Sequence, residues 1–329
     1  MNLHTFHKLH AAGLISDTSL EKVKAAESRR LLSLHWELKV LLYLGVLLLS
    51  GGLGVLVYEN IDTIGHQAVL AIIALISAAC FWYCRRKKSP FSWQKVATPD
   101  ALFDYLLLLA CLTMVTFIAY LQYQYAVFGD HLKLAGFVPM AILFFCAYYF
   151  DHLGVLSLAI TNLAAWMGIV IMPTQVLWRN DFSSATLIYT GMLLGGMLVT
   201  AGEISARKKW KAHFSFTYVN IGLHVLFIAC LAGMFHFEHR YLAWFLVLLA
   251  IAYYCYRLTF RRRSFYFVVI MALYAYIGLG YVVVRLLEKI YTNDLGPTYL
   301  GLLYFIASAI AMIMGLIRFN KKMKSHDRL

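Results

Sequence analysis

Residues 134–172 read LAGFVPMAILFFCAYYFDHLGVLSLAITNLAAWMGIVIM, an apolar run whose only acidic or basic residues are Asp151 and His152. Read as two membrane spans, 134–150 and 153–172, the pair is a two-residue turn closing a tight hairpin. Read as one long helix, the run would invert the orientation of everything downstream. The basic residues decide between the two. Of 29 Lys and Arg, 24 fall into five clusters, Lys8–Lys39, Arg85–Lys95, Arg207–Lys211, Arg257–Arg263 and Arg318–Arg328. The other five, Lys133, Arg179, Arg240, Arg285 and Lys289, sit in the intervening connections. Basic residues are retained on the cytoplasmic side during insertion. Spans at 38–58, 67–84, 101–121, 134–150, 153–172, 185–204, 214–234, 240–258, 265–287 and 298–317 put every cluster after an even number of crossings. Both termini then lie in the cytoplasm. Ten spans satisfy the rule and nine do not.

The composition agrees. The chain is 62% hydrophobic and 14% charged, where a soluble domain is about half apolar and roughly a quarter charged. Its mean hydropathy is +0.71. The expected fold is an all-α polytopic transmembrane bundle. The net charge of +13 occupies short connections flanking apolar runs, where it reads membrane orientation and anionic headgroups rather than nucleic acid. All six cysteines lie inside apolar runs without CxxC spacing and read as small buried apolar residues, not as a disulfide framework or a metal ribbon. The first apolar run follows a polar, charged segment, so no cleavable signal is expected.

Three regions follow: a cytosolic helical hairpin over residues 1–37, a transmembrane bundle over 38–317 and a basic cytosolic tail over 318–329. In the hairpin, Leu3, Phe6 and Leu9 recur at helical spacing, Gly13 is a stop, and Thr18-x-x-Glu21 is a capping-box pattern opening a second helix. So short a hairpin cannot hold a core alone. It must pack on the lipid bilayer surface, on a second copy in a homo-oligomer, or on a cytosolic protein partner. Pro99 and Pro297 precede spans three and ten, and Pro139 lies inside span four.

The front of the chain carries three features in a distinctive order. Ala-Gly-Leu-Ile-Ser (Ala12–Ser16) precedes a glycine-rich first span, Leu44-Gly-Val-Leu-Leu-Leu-Ser-Gly-Gly52, which ends in Glu59-Asn-Ile-Asp62. Over about the first 85 residues this resembles a bacterial family of predicted multi-pass membrane proteins of unknown function, the 2157 type. Ile61 stands where that family usually carries Trp. The resemblance implies a bacterial inner membrane and supplies no activity.

Catalytic signatures are absent: no HExxH, P-loop, dinucleotide fingerprint or Gly-x-Ser-x-Gly elbow occurs, and no cofactor is indicated. The most informative polar group is in span seven, where Thr217, Asn220 and His224 form one stripe at i, i+3 and i+7. Asn162 in span five lies at similar depth. Midplane polar groups face a bundle interior or a wet cavity, so these four are the candidate substrate or proton site. The alternative is interhelical glue. Asp104 reads as a cap or headgroup contact in the first turn of span three, Glu203 as a partner of Arg207 at i+4, and Arg285 as a snorkelling residue or partner of Glu288. Asp151-His152 reads as a polar turn. His4, His7 and His10 read as a solvated helix face rather than a metal site.

Three functions remain open. A carrier of a small or lipid-like molecule leads, from the midplane stripe and the similar openings Tyr43-Leu-Gly-Val-Leu-Leu and Tyr189-Thr-Gly-Met-Leu-Leu of spans one and six, which suggest inverted five-span halves. A non-catalytic scaffold or sensor with the hairpin as docking module is second. A membrane enzyme acting on lipid-linked substrates is third.

Overall fold

The computed structural model describes residues 10, 14–19, 21, 35–129, 131–171, 184–262, 264–290 and 296–326. Most of the expected hairpin lies outside them. Within the described part of the hairpin, Asp17–Ser19 are helical, and Ser16 Oγ accepts the Ser19 backbone N–H at 3.4 Å. This turn therefore opens at Ser16, two residues before the expected Thr18.

All ten expected spans are helices: α1 (His35–Ile64), α2 (His66–Lys87), α3 (Ala101–Tyr125), α4 (Leu132–Phe150), α5 (Leu153–Ile171), α6 (Ala185–Lys208), α7 (Phe214–His236), α8 (Tyr241–Arg262), α9 (Phe265–Ile290) and α10 (Gly296–His326). No strand occurs among the described residues. Nine of these helices are long and apolar enough to cross a membrane, and α1 carries a shorter apolar stretch, Val40–Leu56. The chain is a multi-pass α-helical membrane protein. The helices outrun the expected spans at their basic ends because Arg and Lys are wound on as last turns in α2, α6 and α8, where a cation suits the helix dipole. The helix of span ten likewise continues through Arg318 to His326.

The chain divides into a unit ending at Gly65 and one beginning at His66. The first is dominated by α1, and Gly65, at φ +82°, ends it in a conformation that favours glycine. In the second unit α7 packs against α5, α6, α8 and α9 and joins two apolar cores. One core gathers Phe103, Leu107 and Cys111 of α3, Leu143 and Cys146 of α4, Leu156 and Ile160 of α5, Leu198 of α6, and Phe214 and Tyr218 of α7. The other gathers Leu223, Phe227 and Cys230 of α7 with Leu248 and Cys255 of α8 and Phe267 and Ile270 of α9. All six cysteines are free and buried, as their placement in apolar runs implies. Three donate their thiols to carbonyls: Cys84 to Phe103, Cys230 to Trp244 and Cys255 to Phe267.

Candidate functional site

Thr217, Asn220 and His224 lie on α7 and Asn162 on α5, but their polar groups are served separately. His224 lies between two tyrosines of α9, with Nδ1 2.9 Å from Tyr274 Oη and Nε2 3.3 Å from Tyr266 Oη. Tyr274 in turn stacks on Phe227 at 4.8 Å. Thr217 takes part in none of these bonds. The carbonyl oxygens of Asn162 and Asn220 are buried without a hydrogen-bond partner. Among the described residues, no hydrogen bond joins any of the four to another. Leu163, beside Asn162, packs on the first core, whereas Tyr274, the partner of His224, packs on the second.

A denser polar centre sits at the basic end of the bundle, around the two-residue turn. Asp151 closes α4 in the left-handed region, at φ +59°. Its Oδ2 accepts the Val96 N–H at 2.6 Å, and its Oδ1 lies 2.6 Å from His213 Nε2 and 3.1 Å from Lys211 Nζ. The Lys211 side chain is 1% exposed and that of Asp151 3%. Charges this deep need a partner and further hydrogen bonds. Lys211 Nζ is also 3.5 Å from the Gln94 carbonyl and 5.1 Å from the centre of the Phe91 ring. The backbone is held as firmly. Lys211 N–H donates to the Trp93 carbonyl at 2.8 Å, and Ser205 Oγ donates to the Trp210 carbonyl at 2.6 Å. Lys209 and Lys211 both have positive φ, at 57° and 47°. Two left-handed lysines in three residues store strain that the surrounding bonds must offset.

His152 completes the turn. It caps α5, its Nδ1 accepting the Val155 N–H at 3.1 Å, so a neutral ring carries its proton on Nε2. That atom faces Asp104 Oδ1 at 3.7 Å. A Cβ on Gly154 would come within 2.9 Å of His152 Cε1, so the glycine leaves room for the ring. A small pocket of about 10 Å3, room for one water, adjoins Asp151 and Lys211 beneath Phe91, Val96 and Pro99.

Several sequence expectations are corrected here. Asp104 does not cap α3: Asp100 does, accepting the Phe103 N–H at 2.7 Å and the Lys87 ammonium at 3.2 Å. Those two donors hold the Asp100 carboxyl below the usual carboxylate range. Because folding lowers its pKa, the stability this cap contributes is present above about 4. It is lost as the pH falls through the lower folded value. Asp104 is instead buried against His152. Glu203 pairs not with Arg207 but across to α8, with Arg261 at 2.7 Å and Arg262 at 3.5 Å. Arg285 does reach Glu288, at 3.4 Å, and also Glu238 at 2.7 Å.

These bonds gather the connections after α2, α4 and α6 at one end of the unit. The end of α8 joins them through Arg261, Arg262 and Ser215. The Arg85–Lys95, Arg207–Lys211 and Arg257–Arg263 clusters therefore share an end, as an even number of crossings between them requires.

Residues 7–156 match the family model described as a predicted membrane protein, DUF2157. Over that segment, a little under half of its length, the chain is similar to this family. The match runs well beyond the 85 residues that carry the resemblance in sequence, through the turn and into the start of α5. No curated protein and no solved structure matches the chain. The DUF2157 segment contains Asp104, Asp151 and His152. It ends before Asn162, Thr217, Asn220 and His224, so the match includes the turn and not the stripe.

Proposed function

We propose that this protein is a non-catalytic scaffold or sensor of a bacterial cytoplasmic membrane, with both termini in the cytoplasm and residues 1–37 as its docking module. One observation carries the reading: the centre of the described bundle is closed. Leu107, Leu143, Val155, Leu156, Phe214, Leu223, Phe227 and Leu248 have no accessible surface, and they run through both cores along α7. A filled centre serves a rigid platform better than a transport path. The DUF2157 match supports the docking role, because it begins within the N-terminal segment and continues through four spans.

Deleting Met1–Ser33 tests the docking role. Orientation is also encoded by the four downstream basic clusters, so insertion and membrane abundance should be unchanged while complementation of a deletion strain is lost. Retained complementation, or loss of the protein itself, would remove the docking reading. Orientation has its own check in a background without the native cysteines. Single cysteines at Asp62 and Glu238 should react with an impermeant thiol reagent from outside, and cysteines at Lys88, Lys209 and Arg262 should not. Outside labelling at Lys209 would overturn the placement.

A second reading, a carrier of a small or lipid-like molecule, is favoured by the unpartnered buried carbonyl oxygens of Asn162 and Asn220. Such groups call for a water or ligand. His224→Leu separates the two readings. On the platform reading it removes two tyrosine bonds, costs about 0.6–2 kcal/mol, and function follows abundance. On the carrier reading function vanishes at normal abundance, and His224→Gln then reports whether a proton is handled.

A further inference from the structure

The face of α8 that ends in Arg257 and Arg261 carries a recognisable ligand chemistry. Tyr253, Arg257 and Arg261 recur every four residues on one face of the helix. With Tyr254 and Leu258 they line an open groove of about 530 Å3. The same face continues towards the middle of the span as Leu249 and Leu246, which are 43% and 66% exposed. It is thus polar and cationic at the membrane edge and apolar below it.

The cations of the groove are not equivalent. Arg261 and Arg262 share Glu203, which also accepts from Tyr254 Oη at 3.4 Å. Arg257 donates to Tyr253 Oη at 3.3 Å, and no carboxylate lies within ion-pair range of it among the described residues. Three guanidinium groups therefore face one carboxylate, a surplus of two positive charges. Guanidinium forks bind phosphate oxygens in pairs, and phenol hydroxyls add a third donor.

The geometry points to a binding site for an anionic phospholipid, whose phosphate is held by Arg257, Arg261 and Tyr253 and whose acyl chain lies along Leu249 and Leu246. A free phosphate would satisfy the arginines but leave the leucine rail without a role. The positive surplus favours a headgroup of net negative charge over a zwitterionic one.

The test uses the full chain in phosphatidylcholine nanodiscs containing a minor share of phosphatidylglycerol. Native mass spectrometry after release from the disc reads which lipid stays bound. Wild type should retain phosphatidylglycerol well above its share. Arg257→Gln should reduce that enrichment about tenfold, as loss of a charge-assisted bond does, with Arg257→Lys in between. Arg318→Gln removes an exposed charge from α10, whose Phe319 touches Phe260 of α8; it should leave the enrichment intact. Equal losses in Arg257→Gln and Arg318→Gln would mean diffuse attraction and overturn the site. Displacement of the lipid by excess inorganic phosphate would overturn the lipid assignment. Should Arg257→Gln fail to insert, Tyr253→Phe carries the same comparison, with a partial loss expected and no loss overturning the site.

Discussion

Lys211→Met is expected to destabilise the protein by roughly 3–5 kcal/mol, the usual effect of stranding one member of a buried ion pair. The substitution keeps the apolar stem and removes only the ammonium, so Asp151 keeps its carboxylate with Val96 N–H and His213 but no buried cation. Asp151→Asn is expected to be similarly damaging, because it leaves the Lys211 charge 1% exposed beside a neutral amide. The double variant should be less destabilised than the sum of the two, since neither charge is then alone. The six buried cysteines provide the measurement. A thiol-reactive dye follows their exposure as the detergent-solubilised protein is heated, and each variant's midpoint is compared with wild type. A near-neutral Lys211→Met, or strictly additive losses, would show that the pair does not hold the turn. His213→Ala should have a smaller effect, because that ring is partly solvated and the Lys211 contact remains.

This centre shows what a sequence can and cannot carry for a membrane bundle. The all-helical class and the position of each apolar helix were legible because lipid imposes a local rule: about 20 apolar residues per crossing, with Lys and Arg between crossings. Asp151-His152 was legible as a turn for the same reason. Its partners were not. Lys211 lies 60 residues further on in a cluster of four cations, and nothing local marks it as the one that is buried while Arg207, Lys208 and Lys209 are exposed. The missed signal was a pair of ionisable residues in the shortest connection of the chain, where no loop was available to carry them into water. The role of Asp104 is hidden in the sequence for a related reason. Asp100 and Asp104 are one helical turn apart at the start of α3, and only the fold shows that the first caps the helix while the second faces His152. The midplane stripe was legible as a stripe, but helical spacing does not reveal which neighbouring helix faces it. His224 turned out to be served by two tyrosines of α9.

Glycine placement gives the other large effect. A sequence reading treats Gly191, Gly195 and Gly196 of α6 alike, as residues that let helices approach. The packing distinguishes them. A Cβ on Gly195 would stand 2.9 Å from both the Gly222 carbonyl oxygen and the Leu226 nitrogen of α7. A Cβ on Gly222 would stand 2.9 Å from the Gly195 carbonyl oxygen and 3.0 Å from Leu198 Cβ. A Cβ on Gly196 would meet no atom within 4 Å beyond its own stretch of helix. Alanine is favoured over glycine in a helix interior by roughly 0.5–1 kcal/mol, so Gly196→Ala should be neutral or stabilising. Gly222→Ala should instead lose roughly 1–3 kcal/mol, the range for forced overpacking, because the obstacle is backbone and the helices must separate to admit the methyl group. Gly222→Val should lose more and reduce the amount of folded protein in the membrane. Because α7 joins both cores, displacing it from α6 should loosen Leu223 and Phe227 as well as Phe214 and Tyr218. The same thiol dye would then report Cys230 in the second core together with Cys146 in the first, in one early transition. A Gly222→Ala midpoint at or above that of Gly196→Ala would mean that α6 and α7 are not in backbone contact at this crossing.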